Sequence, residues 1–179
     1  MAVLASTLLL ILLAGQQHGR CSASGLVDNP IAAATIQYLD GRHWTAELLH
    51  KQLSPTPSSS TPLLSIPATV PGDVITDLQA AGKVGDPLFE LNFKNASLWD
   101  TPESGGLQWV YSTQFTTTIN EDEDDVHVVL DGVKMGATVS LNGHELGQVT
   151  DQFLRYEFDV TGLLLPKSTA AVNSLKVCA

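Results

Sequence analysis

Cysteine is nearly absent from the 179 residues: Cys21 and Cys178 are the two present, one near each end, so no internal disulfide framework follows. Basic residues are scarce, with 9 Lys and Arg against 19 Asp and Glu and a formal charge of −10. Binding to a phosphate backbone rests on Lys and Arg, so this balance argues against a nucleic-acid partner and favours neutral ligands. The longest largely apolar run, Val3 to Ala14 with Ser6 and Thr7 inside it, falls short of the roughly 20 residues that span a bilayer. His43, His50, His127 and His144 are scattered without zinc-ligand spacing, and no serine or cysteine stands in a nucleophile-elbow pattern. Nothing in the composition calls for a cofactor or a metal.

What is present begins with a leader. The run from Val3 to Ala14 precedes small residues at Cys21, Ser22 and Ala23, the pattern of a secretory signal, although no Lys or Arg opens it. Residues 1–23 are therefore expected to be a signal peptide, and residues 24–179 the mature chain, large enough for one domain with a sizeable core. Such a protein is expected in the secretory pathway, lysosomal or extracellular, with no membrane attachment after cleavage. The sequon Asn95-Ala96-Ser97 agrees with that route and makes Asn95 the expected glycosylation site. Residues 54–62, "SPTPSSSTP", hold three prolines and no apolar side chain, the composition of an exposed loop. An unpaired Cys178 just before the last residue, with no cap or turn signal, reads as a truncated chain.

The stretch "VPGDVITDLQAAGKVGDPLFELN", residues 70–92, predicts one short helix. Pro71 and Gly72 stop the preceding strand, Asp73 can cap the amides two and three residues on, Val74, Ile75 and Leu78 share a face, and Gly82 closes the last turn. A helix this short is unstable alone, so its apolar face is expected to plug one end of a β-sandwich. Elsewhere the period is two. "LQWVYSTQFTT" places Trp109, Tyr111, Thr113 and Phe115 on a face expected to be core rather than a sugar-stacking platform. "VHVVL", "ATVSL", "FLRYEFDV" and "SLKV" follow at the spacing of a sandwich, and Asn142-Gly143 predicts a two-residue type I′ hairpin. "IQYLDGRHWTAELLH", turning at Asp40 and Gly41, is expected as an edge strand or a short hairpin.

Carboxylates are plentiful, but none is singled out as half of a glycosidase pair, which needs two about 5–10 Å apart. Glu90, Asp100, Glu103, Glu145, Asp151 and Glu157 fall in turns or on polar strand faces, where solvated surface is the default. The run Glu121–Asp125 lacks glycine-spaced oxygen ligands and is read as a solvated loop. On residues alone this is a binding or scaffolding β-domain.

In order, "VPGDVITDLQAAGKVGDPLFELN", "LQWVYSTQF", "VVLDGVKMGATVSLNGHELGQV", "FLRYEFDVTGLL" and "NSLKV" resemble the amino-terminal sugar-binding domain of glycoside hydrolase family 2, in its β-mannosidase branch. The resemblance covers Ile36 to Val177. It departs at Lys134-Met135, where the family usually has Asp-Thr, and at Asp151-Gln152, where it has Asn-Met. The fold it implies is all-β, a galactose-binding-like jelly-roll β-sandwich with one short helix. The activity it implies is hydrolysis of terminal non-reducing β-D-mannose in oligosaccharides, as in N-glycan catabolism, by two glutamates of a (β/α)8 barrel. That catalytic barrel is absent from residues 24–179, so the resemblance assigns no catalytic residue here and implies an inactive fragment. The implied partners are the chain's own downstream barrel and, through it, an oligosaccharide with β-linked mannose. A free-standing lectin-like module and a β-galactosidase or β-glucuronidase relative are the alternatives.

Overall fold

The computed structural model describes residues 3–4, 8–12, 36–50, 61–92, 106–118, 125–133, 136–166, 168 and 170–179. Asn95, Asp100, Glu103, Lys134, Met135, residues 54–60 of the insert, residues 121–124 of the acidic run and most of the leader lie outside them.

The strands are Val3–Leu4 (β1), Leu8–Leu12 (β2), Ile36–Tyr38 (β3), Gly41–His50 (β4), Leu64–Val70 (β5), Gly72–Asp73 (β6), Leu107–Phe115 (β7), Val126–Leu130 (β8), Ala137–Leu141 (β9), His144–Val149 (β10), Tyr156–Asp159 (β11) and Asn173–Cys178 (β12), with one helix, Val74–Ala80 (α1). They form an antiparallel six-stranded sheet ordered β10-β9-β12-β7-β4-β5, a four-stranded sheet ordered β11-β8-β2-β3, and a small ribbon of β1 with β6. Among the described residues, two sheets and one short helix give the β-sandwich that the alternating pattern predicts and the jelly roll that the resemblance implies. Within the leader, the backbone of β2 pairs with β8 on one side and β3 on the other.

Alternation builds the core. Trp44, Ala46 and Leu48 of β4, Ile66, Ala68 and Val70 of β5, Trp109 and Tyr111 of β7, Val139 and Leu141 of β9, and Leu175 and Val177 of β12 are buried in one cluster. From the facing sheet, Val126, Val128 and Leu130 of β8 join the same cluster. Each large apolar side chain buried this way stabilises the fold by about 1.5–3 kcal/mol. The predicted inward face of β7 is observed, with Thr113 as its polar member; its hydroxyl donates to the His43 carbonyl at 3.1 Å. Val110, on the opposite face, is buried as well, which period two alone does not anticipate.

Asp73 caps α1 as its position predicts: its Oδ1 accepts from the amides of Ile75 at 2.9 Å and Thr76 at 3.0 Å. Val74 and Leu78 are fully buried against the sandwich, so the helix plugs its end and gains from packing what seven residues cannot supply alone. The β9–β10 turn is the expected one, with φ 52° at Asn142 and 83° at Gly143, and Leu141 facing His144. Asn142 also binds the sheet together. Its side-chain amide donates to Leu163 O and Asn173 Oδ1, both at 2.8 Å, and its oxygen accepts from the Ser174 amide at 2.9 Å.

One expectation is corrected. The stretch around Asp40 and Gly41 is neither a hairpin nor one edge strand: β3 edges the four-stranded sheet, whereas β4 lies inside the six-stranded sheet between β5 and β7. The chain changes sheets there, at a corner pinned by the buried Trp44 indole, which donates to Leu39 O at 2.8 Å. The strand "SLKV" lies inside the six-stranded sheet. β12 pairs with β7 and β9 along its length, so its backbone groups are satisfied on both sides and the edges of the sheet are β10 and β5.

Candidate functional site

A shallow depression of about 590 Å³, open to solvent over most of its extent, lies where the β3–β4 corner meets the end of β7. Its floor is apolar, formed by Leu39, 1% exposed, and Phe115, 8% exposed. Tyr38 and Val172, with the polar Gln37, His43, Gln114, Thr116 and Thr118, complete its lining. No carboxylate, Lys or Arg is among these residues.

Local sequence explains the shape. Alternation along β3 turns Tyr38 outward, 62% exposed, while Leu39 next to it dives into the core. Gly41 has φ +130°, and a Cβ placed on it would lie 3.2 Å from the His43 ring, so glycine leaves the imidazole room over the corner. Gln37 fastens the opposite rim. Its amide donates to Thr116 O at 3.0 Å, and its oxygen accepts from the Thr118 amide at 3.0 Å and the Thr118 hydroxyl at 3.1 Å.

A second polar group lies under α1. Asp77, 4% exposed, accepts from the Thr69 amide at 3.1 Å through Oδ1 and from the Tyr111 hydroxyl at 3.2 Å through Oδ2. Burial raises the Asp77 carboxyl above its ordinary range, against the lowering effect of these two bonds. Burial, followed by the Asp77 charge, pushes the Tyr111 hydroxyl far above its ordinary range, so it remains a donor at any working pH. The group ties α1 to β5 and β7 and has no open face toward solvent. Trp109 and Tyr111 are core residues, as expected, at 1% and 0% exposure.

The carboxylates noted in the sequence do not converge. Glu90, Glu145, Asp151 and Glu157 are exposed, on the loop after α1, on β10, on the β10–β11 loop and on β11 respectively. Asp151 accepts from the Phe153 amide at 2.8 Å and so shapes its own turn. Burial pushes the half-buried Cys178 thiol up, which keeps it protonated and unreactive. Among the described residues, no group of three or more His, Cys, Asp or Glu side chains could hold a metal. The sequence reading missed the cavity. Tyr38 and Gln114 are ordinary outward positions of two strands far apart in sequence, and only the sheet crossing at Gly41 brings them together.

Residues 36–178 match the family described as glycosyl hydrolase 2 galactose-binding domain-like. Over 121 residues the chain is 36% identical to the β-mannosidase of Rattus norvegicus, covering 67% of this chain and 13% of that protein. It superposes on the β-D-mannosidase of Dictyoglomus thermophilum with a TM-score of 0.59 at 23% identity, over 78% of this chain and 15% of that one. The Ruminococcus gnavus β-glucuronidase superposes with a TM-score of 0.50 at 17% identity, over 79% and 20%. The chain thus spans about a seventh of the mannosidases it resembles and a fifth of the glucuronidase, and the two superpositions show a shared fold. The matched segment takes in β3 to β12 and every residue of the cavity, so the chain belongs to the glycosyl hydrolase 2 galactose-binding domain-like family.

Proposed function

We propose that this chain is the non-catalytic amino-terminal domain of a β-mannosidase, an enzyme that removes terminal non-reducing β-D-mannose from oligosaccharides during glycoprotein breakdown. The observation that carries this reading is the 36% identity to the rat β-mannosidase across a domain whose cavity has no carboxylate among its described lining residues. Retaining glycoside hydrolysis needs an acid and a nucleophile facing each other across the bond. The domain supplies a rigid sandwich, and the carboxylate pair belongs to a barrel elsewhere in the polypeptide. The turn after α1 supports a docking role toward that barrel. Leu88, Phe89 and Leu91 stand 94%, 59% and 58% exposed there, an apolar surface out of keeping with a free loop.

The same reading takes residues 1–23 as a signal whose cleavage removes β2 from between β8 and β3 and leaves those two strands to close on each other or stand as edges, and it takes Asn95 as a glycan acceptor on the way to the lysosome or the outside of the cell. The test is hydrolysis of p-nitrophenyl β-mannoside by the 179-residue chain and by the chain extended through its transcript. Turnover by the extended chain and none by the 179 residues is the expected result. Turnover by the 179 residues themselves overturns the assignment of a non-catalytic domain, and preference of the extended chain for a galactoside or glucuronide overturns the choice of sugar.

A further inference from the structure

We propose that removal of the leader opens a strand-shaped slot between β8 and β3, and that an extended segment of the same polypeptide beyond residue 179 docks there and completes the four-stranded sheet. The inference rests on the reading of the chain as the amino-terminal part of a longer enzyme with a cleaved leader. It starts from the pairing of β2, which is antiparallel to β8 over Leu8–Leu12 and antiparallel to β3 over Leu9–Ile11. β8 and β3 therefore run parallel to each other, and without β2 they stand two strand spacings apart, about 9.5 Å.

The slot stays open because both walls are fastened elsewhere. β3 is held by the Gln37 side chain, bonded to Thr116 O at 3.0 Å and to the Thr118 amide and hydroxyl at 3.0 and 3.1 Å. It is held again at Leu39, whose carbonyl accepts from the buried Trp44 indole at 2.8 Å. Moving β3 across one strand spacing, about 5 Å, would break all four bonds. β8 is held by β11, in register from Tyr156 opposite Leu130 to Asp159 opposite His127, and by Val126, Val128 and Leu130 in the core. Neither wall can cross the gap without undoing contacts that do not involve β2.

The slot also specifies its occupant. Val126 donates its amide to the Thr161 hydroxyl and accepts from the Val160 amide, so its backbone faces β11. Alternation turns the amides and carbonyls of His127 and Val129 the other way, into the slot, where they need a partner strand. Positions level with Val126, Val128 and Leu130 lie over the core, whereas positions level with His127 and Val129 lie beside the exposed Ile36 and Tyr38. The fitting occupant is about five extended residues, apolar at the first, third and fifth, running antiparallel to β8 and β3. A strand added to an open edge gains main-chain bonds along its length and specificity from its alternate side chains. The rest of the polypeptide is the source: 13% and 15% of the two mannosidases match this chain, so most of each lies outside the matched segment. A tethered segment acts at an effective concentration that a free partner does not reach.

The test is hydrogen–deuterium exchange, resolved to single amides, on the 179-residue chain and on the chain extended through its transcript, both produced through the secretory pathway. In the 179-residue chain the amides of His127 and Val129 are expected to exchange at least about 10-fold faster than those of Val126, Val128 and Leu130, which face β11. A synthetic peptide of residues 7–13 with a lysine tail is expected to slow those two amides saturably. In the extended chain they are expected to be slow already, and the peptide is expected not to bind. Shortening the extended chain from its end is expected to release both amides in one step, when the docking segment is lost. Slow exchange of His127 and Val129 in the leader-free 179-residue chain overturns the open slot, because β3 or a second copy has then filled it. Fast exchange in the extended chain, or no such step on shortening, overturns the downstream segment as occupant. Retention of residues 1–23 by the secreted chain overturns the opening itself. Turnover of p-nitrophenyl β-mannoside by the extended chain is read beside these: turnover with both amides unprotected sinks the slot and leaves the hydrolytic reading standing, and protection without turnover does the reverse.

Discussion

Asp77→Ala and Asp77→Asn separate two contributions of the one buried carboxylate under α1. In the alanine variant the Thr69 amide and the Tyr111 hydroxyl lose their acceptor inside the fold. Each unsatisfied buried group costs about 1–3 kcal/mol, while removing the charge relieves its own desolvation, so a net loss of about 2–4 kcal/mol is expected. For a chain of this size that lowers the melting temperature by about 4–16 °C. The asparagine variant keeps an oxygen for Thr69 and presents an amide to the Tyr111 oxygen, so it stays within about 1 kcal/mol of the parent.

The pH dependence has a definite sign. Because burial raises the folded carboxyl above its model value of 3.8, the folded chain holds more protons than the unfolded chain just above that pH. The parent is therefore most stabilised at this site below about pH 4 and loses that stabilisation as pH rises through the raised value, after which the effect is constant. Asparagine removes this dependence, so its stability relative to the parent improves from acid to neutral pH. Calorimetry of the parent and both variants at pH 4 and pH 7 reads every quantity. An alanine variant melting with the parent, or an asparagine variant as damaged as alanine, would refute the reasoning.

Other expectations follow from single contacts. Asp73→Ala removes the acceptor for the Ile75 and Thr76 amides and is expected to cost about 1 kcal/mol, read as a lower midpoint in urea at an unchanged slope. Asn142→Gly keeps the left-handed turn but deletes the links to Leu163, Asn173 and Ser174; a loss of about 1–3 kcal/mol is expected, with the Ser174 amide exchanging faster with solvent. Asn95→Gln expressed through the secretory pathway is expected to abolish the mobility shift that an N-glycan-cleaving enzyme produces on the parent, and a parent that shows no shift contradicts Asn95 as acceptor.

How much was legible in the sequence depends on the range of the cause. The cap at Asp73, the turn at Asn142-Gly143 and the inward face of β7 are decided within a few residues, and pattern alone recovers them. Asp77 is a polar position in a short helix with no local signal of burial, yet it is buried, because its partner is Tyr111 from a strand more than thirty residues later. The corner at Gly41 was read as a local reversal because a hairpin and a change of sheet share the same turn residues. The cavity stayed hidden for the same reason, since no spacing rule links Tyr38 to Gln114. Family resemblance carried the architecture further than periodicity could, because ordered motifs encode the long-range pairings that single segments do not.

The place of β12 in the six-stranded sheet has a consequence for the time course of folding. β9 and β10 are joined by a two-residue turn, and β4 and β5 by residues 51–63, so each pair is close in sequence and can zip before the rest. The two halves of the sheet meet only through β12, whose Val177 pairs with Tyr111 on one side and Val139 on the other. Closing such distant pairings is slow, on the millisecond-to-second scale of non-local β folds. During synthesis the halves must therefore wait, each with an unpaired flank, until residues 173–178 emerge and join them.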